Sequence, residues 1–346
     1  MTKRMARFQR MIGLGAALAL AAVAGCNLTA APDTEAAIDH YVRGKLLAEQ
    51  GLYDAALAEL AQAARSDASL SIAYTAAGDI HRKRGDYSAA VLSYEAACRA
   101  NPYEFRSHYN LGVTHQLLAE VARTVERLQY ELSQAISIYL RAITIKPDDF
   151  DANLNLSACY FQLGKYDQAE QYCLAAIRIN PNHAGAHSNL GVIYDSQGRL
   201  YEAISAYKAS LEVDNKQPGL WLNLGSTYLK QNRVKAALRA FEKAAEYSPG
   251  TAAAWEQIGA CHVQLRQFDD AMKAYEKALD LNPDSPAAHR GVGVIYMSRF
   301  VLDHQKIDLR DKALAHWNRS LELQPDQQDL VRFVEKYTPK YQGPQL

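Results

Sequence analysis

From Ala37 onward, apolar residues recur three and four positions apart, pause at a short polar or glycine-bearing stretch, and begin again. Residues so spaced lie above one another on a helix, so each run predicts one apolar stripe on one helix. Laid in register, the runs form a recurring unit of about 34 residues. Within it a bulky residue stands at column 4, Leu-Gly at columns 7 and 8, and Tyr or His at 11. Ala follows at 20, an aromatic at 24, Ala at 27 and Pro at 32. From Pro218 to Thr251 these columns hold Trp221, Leu224, Gly225, Tyr228, Ala237, Phe241, Ala244 and Pro249. The first four columns share one face of a first helix and the next three one face of a second, so the two faces must pack together.

The same columns recur in units beginning at Ala37, Ser71, Phe105, Phe150, Ala184, Pro218, Ala252 and Pro286. The predicted units are 37–70, 71–104, 105–149, 150–183, 184–217, 218–251, 252–285 and 286–328. Glycines at 51, 85, 164 and 198 fall where a left-handed turn residue closes the first helix. Prolines at 102, 147, 181, 249, 283 and 325 close the second, because the ring cannot donate the next helical hydrogen bond. Two units exceed the period. Between Gly112 and Ala135 extra residues without Gly or Pro predict two lengthened helices, and between Gly293 and Ala313 the excess predicts an enlarged turn centred on residues 300–308. After Pro325, the spacing of Leu330, Phe333, Val334 and Tyr337 predicts a helix over 329–338 that caps the last unit, followed by a tail, 339–346.

This pattern resembles the tetratricopeptide repeat. The resemblance covers nearly all of the chain after residue 36 and implies an all-α solenoid, a right-handed superhelix of helix-turn-helix units with a C-terminal capping helix. It also implies a concave groove lined by first helices, in which column 6 faces inward. There the chain carries Asn110, Asn155, Asn189 and Asn223, then Gln257. Asn costs a helix roughly 0.5 kcal/mol relative to Ala at each site, so a row of them invites a functional reading. A carboxamide both donates and accepts, and such a row can hold the backbone of an extended peptide. It resembles the asparagine ladder of O-linked N-acetylglucosamine transferases, although Asn before Leu-Gly is also frequent in the family pattern. Tyr109, Leu154, Phe161, Leu222 and Leu229 stand beside it, placed for apolar side chains. The family's carboxylate clamp is not reproduced, since column 5 holds Tyr41, Thr75, Tyr109, Leu154 and Ser188.

The first 25 residues read differently. Lys3, Arg4, Arg7 and Arg10 precede an apolar run from Met11 to Ala24 that is shorter than the roughly 20 residues a spanning helix needs. It ends in Val23-Ala24-Gly25-Cys26, which resembles the bacterial lipobox, with Val23 where Leu is commonest. That resemblance implies lipidation of Cys26, a tether over 26–36, and a place on the cell envelope facing the periplasm. Asn27 after the cysteine points to the outer membrane rather than the inner. An ordinary secretory leader cleaved near Ala22 to Ala24 is the competing reading.

Composition narrows the chemistry. Hydrophobic residues make up 49% and charged residues 22%, as in folded soluble domains. Without residues 1–25 the chain has 34 basic and 38 acidic residues, a net charge of −4 that lacks the positive field nucleic-acid binding requires. His40, His108, His187 and His289 fall in column 4, and His81, His115 and His262 in column 11, which are packing columns; no metal set is expected. His183 and His187 have a metal-like spacing but no third ligand. Cys159 and Cys261 fall in column 10 and Cys173 in column 24; packing and a bridge from Cys159 to Cys173 both remain open. No phosphate loop or catalytic motif is present, and no cofactor or small-molecule substrate is expected. The expectation is a non-enzymatic, membrane-anchored scaffold that binds extended segments of envelope proteins. The alternative is a pilotin-like assembly factor for an outer-membrane secretion or type IV pilus machine.

Overall fold

The computed structural model describes residues 33–339. The leader, Cys26, most of the tether and the end of the tail lie outside the described residues. Seventeen α-helices and no strands are present among the described residues. The first repeat pairs α1 (Thr34–Glu49) with α2 (Tyr53–Ser66), and the second pairs α3 (Ser71–Lys83) with α4 (Tyr87–Ala100). Next come α5 (Phe105–Glu120) and α6 (Val125–Ile145), α7 (Phe150–Gln162) and α8 (Tyr166–Ile179), and α9 (Ala184–Ser196) and α10 (Leu200–Val213). Then follow α11 (Pro218–Lys230) and α12 (Val234–Tyr247), α13 (Ala252–Gln264) and α14 (Phe268–Leu281), α15 (Pro286–Leu302) and α16 (Ile307–Leu323), and a lone α17 (Gln328–Tyr337). The chain forms two compact units, one reaching Leu118 and the other beginning at Ala119.

Within each unit a first helix packs on its own second helix and on the second helix of the repeat before. The hairpin contact is set by columns 8 and 24. A Cβ added to Gly225 would stand 2.4 Å from the Phe241 ring, and at Gly78, Gly191 and Gly293 it would meet Tyr94, Tyr207 and Trp317 at 2.6, 2.3 and 2.3 Å. These approaches are far inside carbon–carbon contact, so only a hydrogen fits. The turn between the two helices needs a left-handed residue. Gly51, Gly85, Gly164 and Gly198 supply it with φ of 79°, 81°, 71° and 74°. Asn232 and Arg266 take the same role at φ 57° and 58°.

Asp33 caps α1 by accepting from Ala36 N at 3.0 Å, so this helix begins at Thr34, ahead of Ala37. In the third repeat α5 and α6 run to 16 and 21 residues, against 13 and 14 in the regular α7 and α8. The last repeat departs from the sequence expectation of an enlarged turn. Both α15 and α16 are 17 residues long, and residues 303–306 alone connect them. The extra residues contain no Gly or Pro, and a helix already nucleated gains one hydrogen bond for each residue it adds. The cap is present: Leu330 of α17 is buried with Met297, Ala313, Leu314 and Trp317, and the Phe333 ring lies 6.0 Å from that of Trp317.

Candidate functional site

Column 4 is a packing position that also carries hydrogen-bond chemistry. Trp221 Nε1 donates to the Asn215 carbonyl at 2.9 Å and Trp255 Nε1 to that of Pro249 at 3.1 Å. His187 Nε2 donates to the Pro181 carbonyl at 2.8 Å, His289 Nε2 to Pro283 at 3.0 Å, and Asn153 Nδ2 to Pro147 at 3.1 Å. Each acceptor is column 32 of the repeat before, where the second helix has ended and its last carbonyls have no helical partner. Asn, His and Trp share an N–H at reach and little else. Their recurrence six residues after Pro or Asn was the signal available in the sequence.

Five of the histidines thereby serve the scaffold, His187 and His289 among them. His183 accepts from Ala186 N as a helix cap, His40 pairs with Glu59 at 2.7 Å, and His108 Nδ1 donates to the Glu104 carbonyl at 3.1 Å. No group of three or more His, Cys, Asp or Glu side chains that could hold a metal occurs among the described residues. Cys98, Cys159, Cys173 and Cys261 are free thiols. Burial pushes the Cys159 and Cys173 thiols up to about 12, and those of Cys98 and Cys261 to about 11, so none is a thiolate nucleophile near neutral pH.

The column 6 carboxamides do not share one environment. In the first unit Asn110 is buried, and its Nδ2 donates to Asp79 at 3.0 Å. Asp79 also accepts from Tyr94 at 2.6 Å and Arg106 at 2.7 Å. Beside it the Tyr109 ring stacks on Phe105 with centroids 5.7 Å apart. In the second unit Asn189 and Asn223 are exposed, while Asn155 and Gln257 are half-buried. Leu154, Phe161 and Leu222 are half-buried too. Leu222 packs on the core around Leu224 and Phe241, and Phe161 on that around Cys173 and Leu190.

At Gln257 the first-helix face of this unit deepens. A hollow of about 400 Å³ is lined by Gln257, Gln264, Arg290, Tyr275 and Gln327. It shares Val263, Gln264, Arg290 and Val294 with a second hollow of about 580 Å³ that runs onto α17. The second is walled by Met297, Val301, Leu302, Phe333 and Tyr337, with Arg266 and Arg290 at its margin and no acidic side chain. Leu302 is 84% exposed and Phe333 49%. The repeat pattern along the chain gives no sign of this trough. Its apolar wall comes from the lengthened α15 and from α17, which depart from the repeat frame.

Comparison with known proteins settles the architecture. Two tetratricopeptide repeat models match the chain, one at residues 222–286 and 262–299 and the other at 148–216, and a further repeat model matches 78–118. The chain is built of tetratricopeptide repeats. No curated protein matches it by sequence. Among solved structures it resembles pilF of Pseudomonas aeruginosa, with 19% identity, 63% of this chain and 94% of that one covered, and a TM-score of 0.50. It also resembles YrrB, described as a tetratricopeptide repeat protein with an unusual peptide-binding site (20% identity, 57% and 97% covered, TM-score 0.48). MamA gives 23% identity, 52% and 92% covered, and a TM-score of 0.47. The likeness to pilF shows the fold alone. A tetratricopeptide array is an architecture suited to contacts between polypeptides.

Proposed function

We propose that the protein is a lipid-anchored scaffold of the bacterial envelope, facing the periplasm from the outer membrane, whose first-helix face holds an extended segment of a partner protein. The observation that carries the binding half is the continuous surface of the second unit. Exposed carboxamides at Asn189 and Asn223 lead through Gln257 into a trough with an apolar wall. Carboxamides engage a peptide backbone whatever its sequence, and an apolar hollow then selects a side chain. The anchoring half is supported by the leader and by Val23-Ala24-Gly25-Cys26, since several acyl chains on one residue give stable attachment.

Replacing Asn155, Asn189 and Asn223 together with Ala tests the first half by crosslinking and recovery of partners from membranes. The expected result is loss of capture with an unchanged helical melt; undiminished capture rules the face out. Replacing Cys26 with Ser tests the second half. Fractionation should move the protein from the membrane pellet to the soluble fraction or leave an unprocessed precursor, and a variant processed and sedimenting like the parent contradicts acylation.

A second reading, an assembly factor that brings a pilus or secretion subunit to its site by a folded surface, is favoured by the lengthened third repeat. Val121, Val125 and Tyr130 are 61%, 64% and 52% exposed there. Under that reading, shortening residues 117–133 abolishes capture and the Asn variants leave it intact.

A further inference from the structure

From residue 252 to 338 four of the six arginines are ion-paired. Arg299 meets Asp269 at 2.6 Å, Arg310 meets Asp311 at 2.8 Å, Arg319 meets Asp284 at 2.6 Å, and Arg332 meets Asp329 at 3.7 Å. Arg266 and Arg290 are the exceptions. Both are exposed, neither has an ion-pair partner among the described residues, and both stand at the margin of the apolar trough, whose lining brings no acidic side chain. Arg266 also occupies the left-handed turn position, at φ 58°, that Gly51, Gly85, Gly164 and Gly198 fill in other repeats without steric cost. A cation is thus held beside an apolar hollow in a backbone conformation that its side chain disfavours, with its charge uncompensated.

The surroundings discriminate among occupants. Arg290 lines both the apolar hollow and the neighbouring hollow of Gln257, Gln264 and Gln327, so an extended chain passing from one to the other crosses its guanidinium rather than ending there. The carboxamides suit the N–H and C=O groups of a peptide backbone, which an acyl chain lacks. The carboxamide hollow also contains Glu256, whose Oε1 accepts from Ser285 Oγ at 2.6 Å. A carboxylate is therefore disfavoured on that side of Arg290 and favoured on the side of Arg266. The charges of α17 agree with this sense. Asp329 is engaged by Arg332, Lys336 adds a cation 5.1 Å from the Tyr337 ring, and Glu335 stands on the side of the helix away from Phe333.

We infer that Arg266 and Arg290 select an internal partner segment in which a carboxylate side chain adjoins a bulky apolar one, the apolar group entering between Met297, Leu302 and Phe333 and the carboxylate meeting the two guanidinium groups. A guanidinium presents parallel N–H donors that match a carboxylate, and an apolar wall that excludes water strengthens the pair. Burial of the apolar side chain supplies affinity, and the charge fixes which segments are admitted. The inference rests on the reading of this face as the groove for an extended partner and names the chemistry that the groove admits.

Fluorescence anisotropy of the full chain with labelled, acetylated and amidated peptides tests it. The probe is Ser-Gly-Asp-Leu-Phe-Asp-Gly-Ser, and its relatives carry Asn for both Asp, or Ala for Leu and Phe. The Asp peptide is expected to bind, and either exchange should weaken it about tenfold or more, the scale of one charged hydrogen bond or one buried side chain. Arg266→Gly should weaken the Asp peptide about tenfold and leave the thermal melt close to that of the parent, because glycine adopts the left-handed turn freely, so the loss is one of binding and not of folding. Arg290→Glu should abolish binding of the Asp peptide and admit the counterpart with Lys for Asp. Failure of the Asp peptide to bind, equal affinity for the Asn peptide, or indifference to both arginine substitutions overturns the proposal. So does tighter binding of dodecanoate than of the Asp peptide, which assigns the hollow to an acyl chain. If the Asn155, Asn189 and Asn223 variant still captures partners from membranes while Arg290→Glu does not, the carboxamide reading fails and this proposal stands; the opposite pattern overturns this proposal and leaves that reading intact.

Discussion

At column 8 the chain solves one steric problem in two ways. Most repeats set Gly against an aromatic ring at column 24, as Gly225 does with Phe241. In the fourth repeat the pair is Ser157 and Cys173: the larger residue at column 8 is matched by a smaller one at column 24. The Ser157 hydroxyl donates to the Ala169 carbonyl at 2.7 Å, and the Cys173 thiol to that of Ala186 at 3.3 Å, so neither polar group is stranded. Size is thus conserved across the contact rather than at either position. Gly225→Ala places a methyl 2.4 Å from the Phe241 ring, and overpacking of this kind costs about 1–3 kcal/mol. We expect the urea midpoint to fall with an unchanged m-value. Gly225→Ala combined with Phe241→Leu should cost less than the two changes added separately, which a double-mutant cycle reads directly.

Between elements, the α15–α16 pair couples packing to protonation. His289 Nε2 faces the Pro283 carbonyl, which can only accept, so the ring proton is on Nε2 and Nδ1 offers a lone pair. His316 Nδ1 then donates to it across 3.0 Å. Burial, reinforced by His289, holds the His316 imidazole below its ordinary 6.5. The folded chain therefore binds fewer protons than the unfolded one. Stability is full above pH 6.5 and is lost as the pH falls from there through the depressed folded value. The ring is half-exposed, so solvent screening keeps the slope below the about 1.4 kcal/mol per pH unit set by one proton. Thermal melts between pH 7.5 and 5 should show the melting temperature of the parent falling. His316→Phe should flatten that fall, and an identical slope in both proteins contradicts the assignment.

For the molecule as a whole, stability in each unit is a sum of repeats and of the interfaces between them, so the ends matter out of proportion to their size. In the second unit α17 covers Met297, Leu314 and Trp317. A chain ending at Gln327 should expose that surface, and amide exchange should accelerate in α15 and α16 while α9 to α12 keep their protection. Uniform acceleration throughout the unit would show a single cooperative block and no capping role. The same truncation removes Phe333 and Tyr337 from the trough wall, which ties the C-terminal cap to the binding surface.

Periodicity determined the hairpins. Leu-Gly at columns 7 and 8, the column 24 aromatic and the column 32 proline are local demands of helix packing and termination, and each is met within about 34 residues, so the chain displays them in one dimension. The left-handed turn was legible where Gly fills it and hidden where Asn232 and Arg266 do. Tertiary structure decided what the repeat frame leaves free. Asn110 and Asn223 occupy one column, yet the first is closed by Asp79 and the second is open, because a carboxamide is spent only if a neighbouring repeat brings an acceptor within reach. The apolar trough joins residues from α13, α15, α16 and α17. Exposure is a property of which surfaces meet, and a sequence column fixes only the face on which a side chain stands.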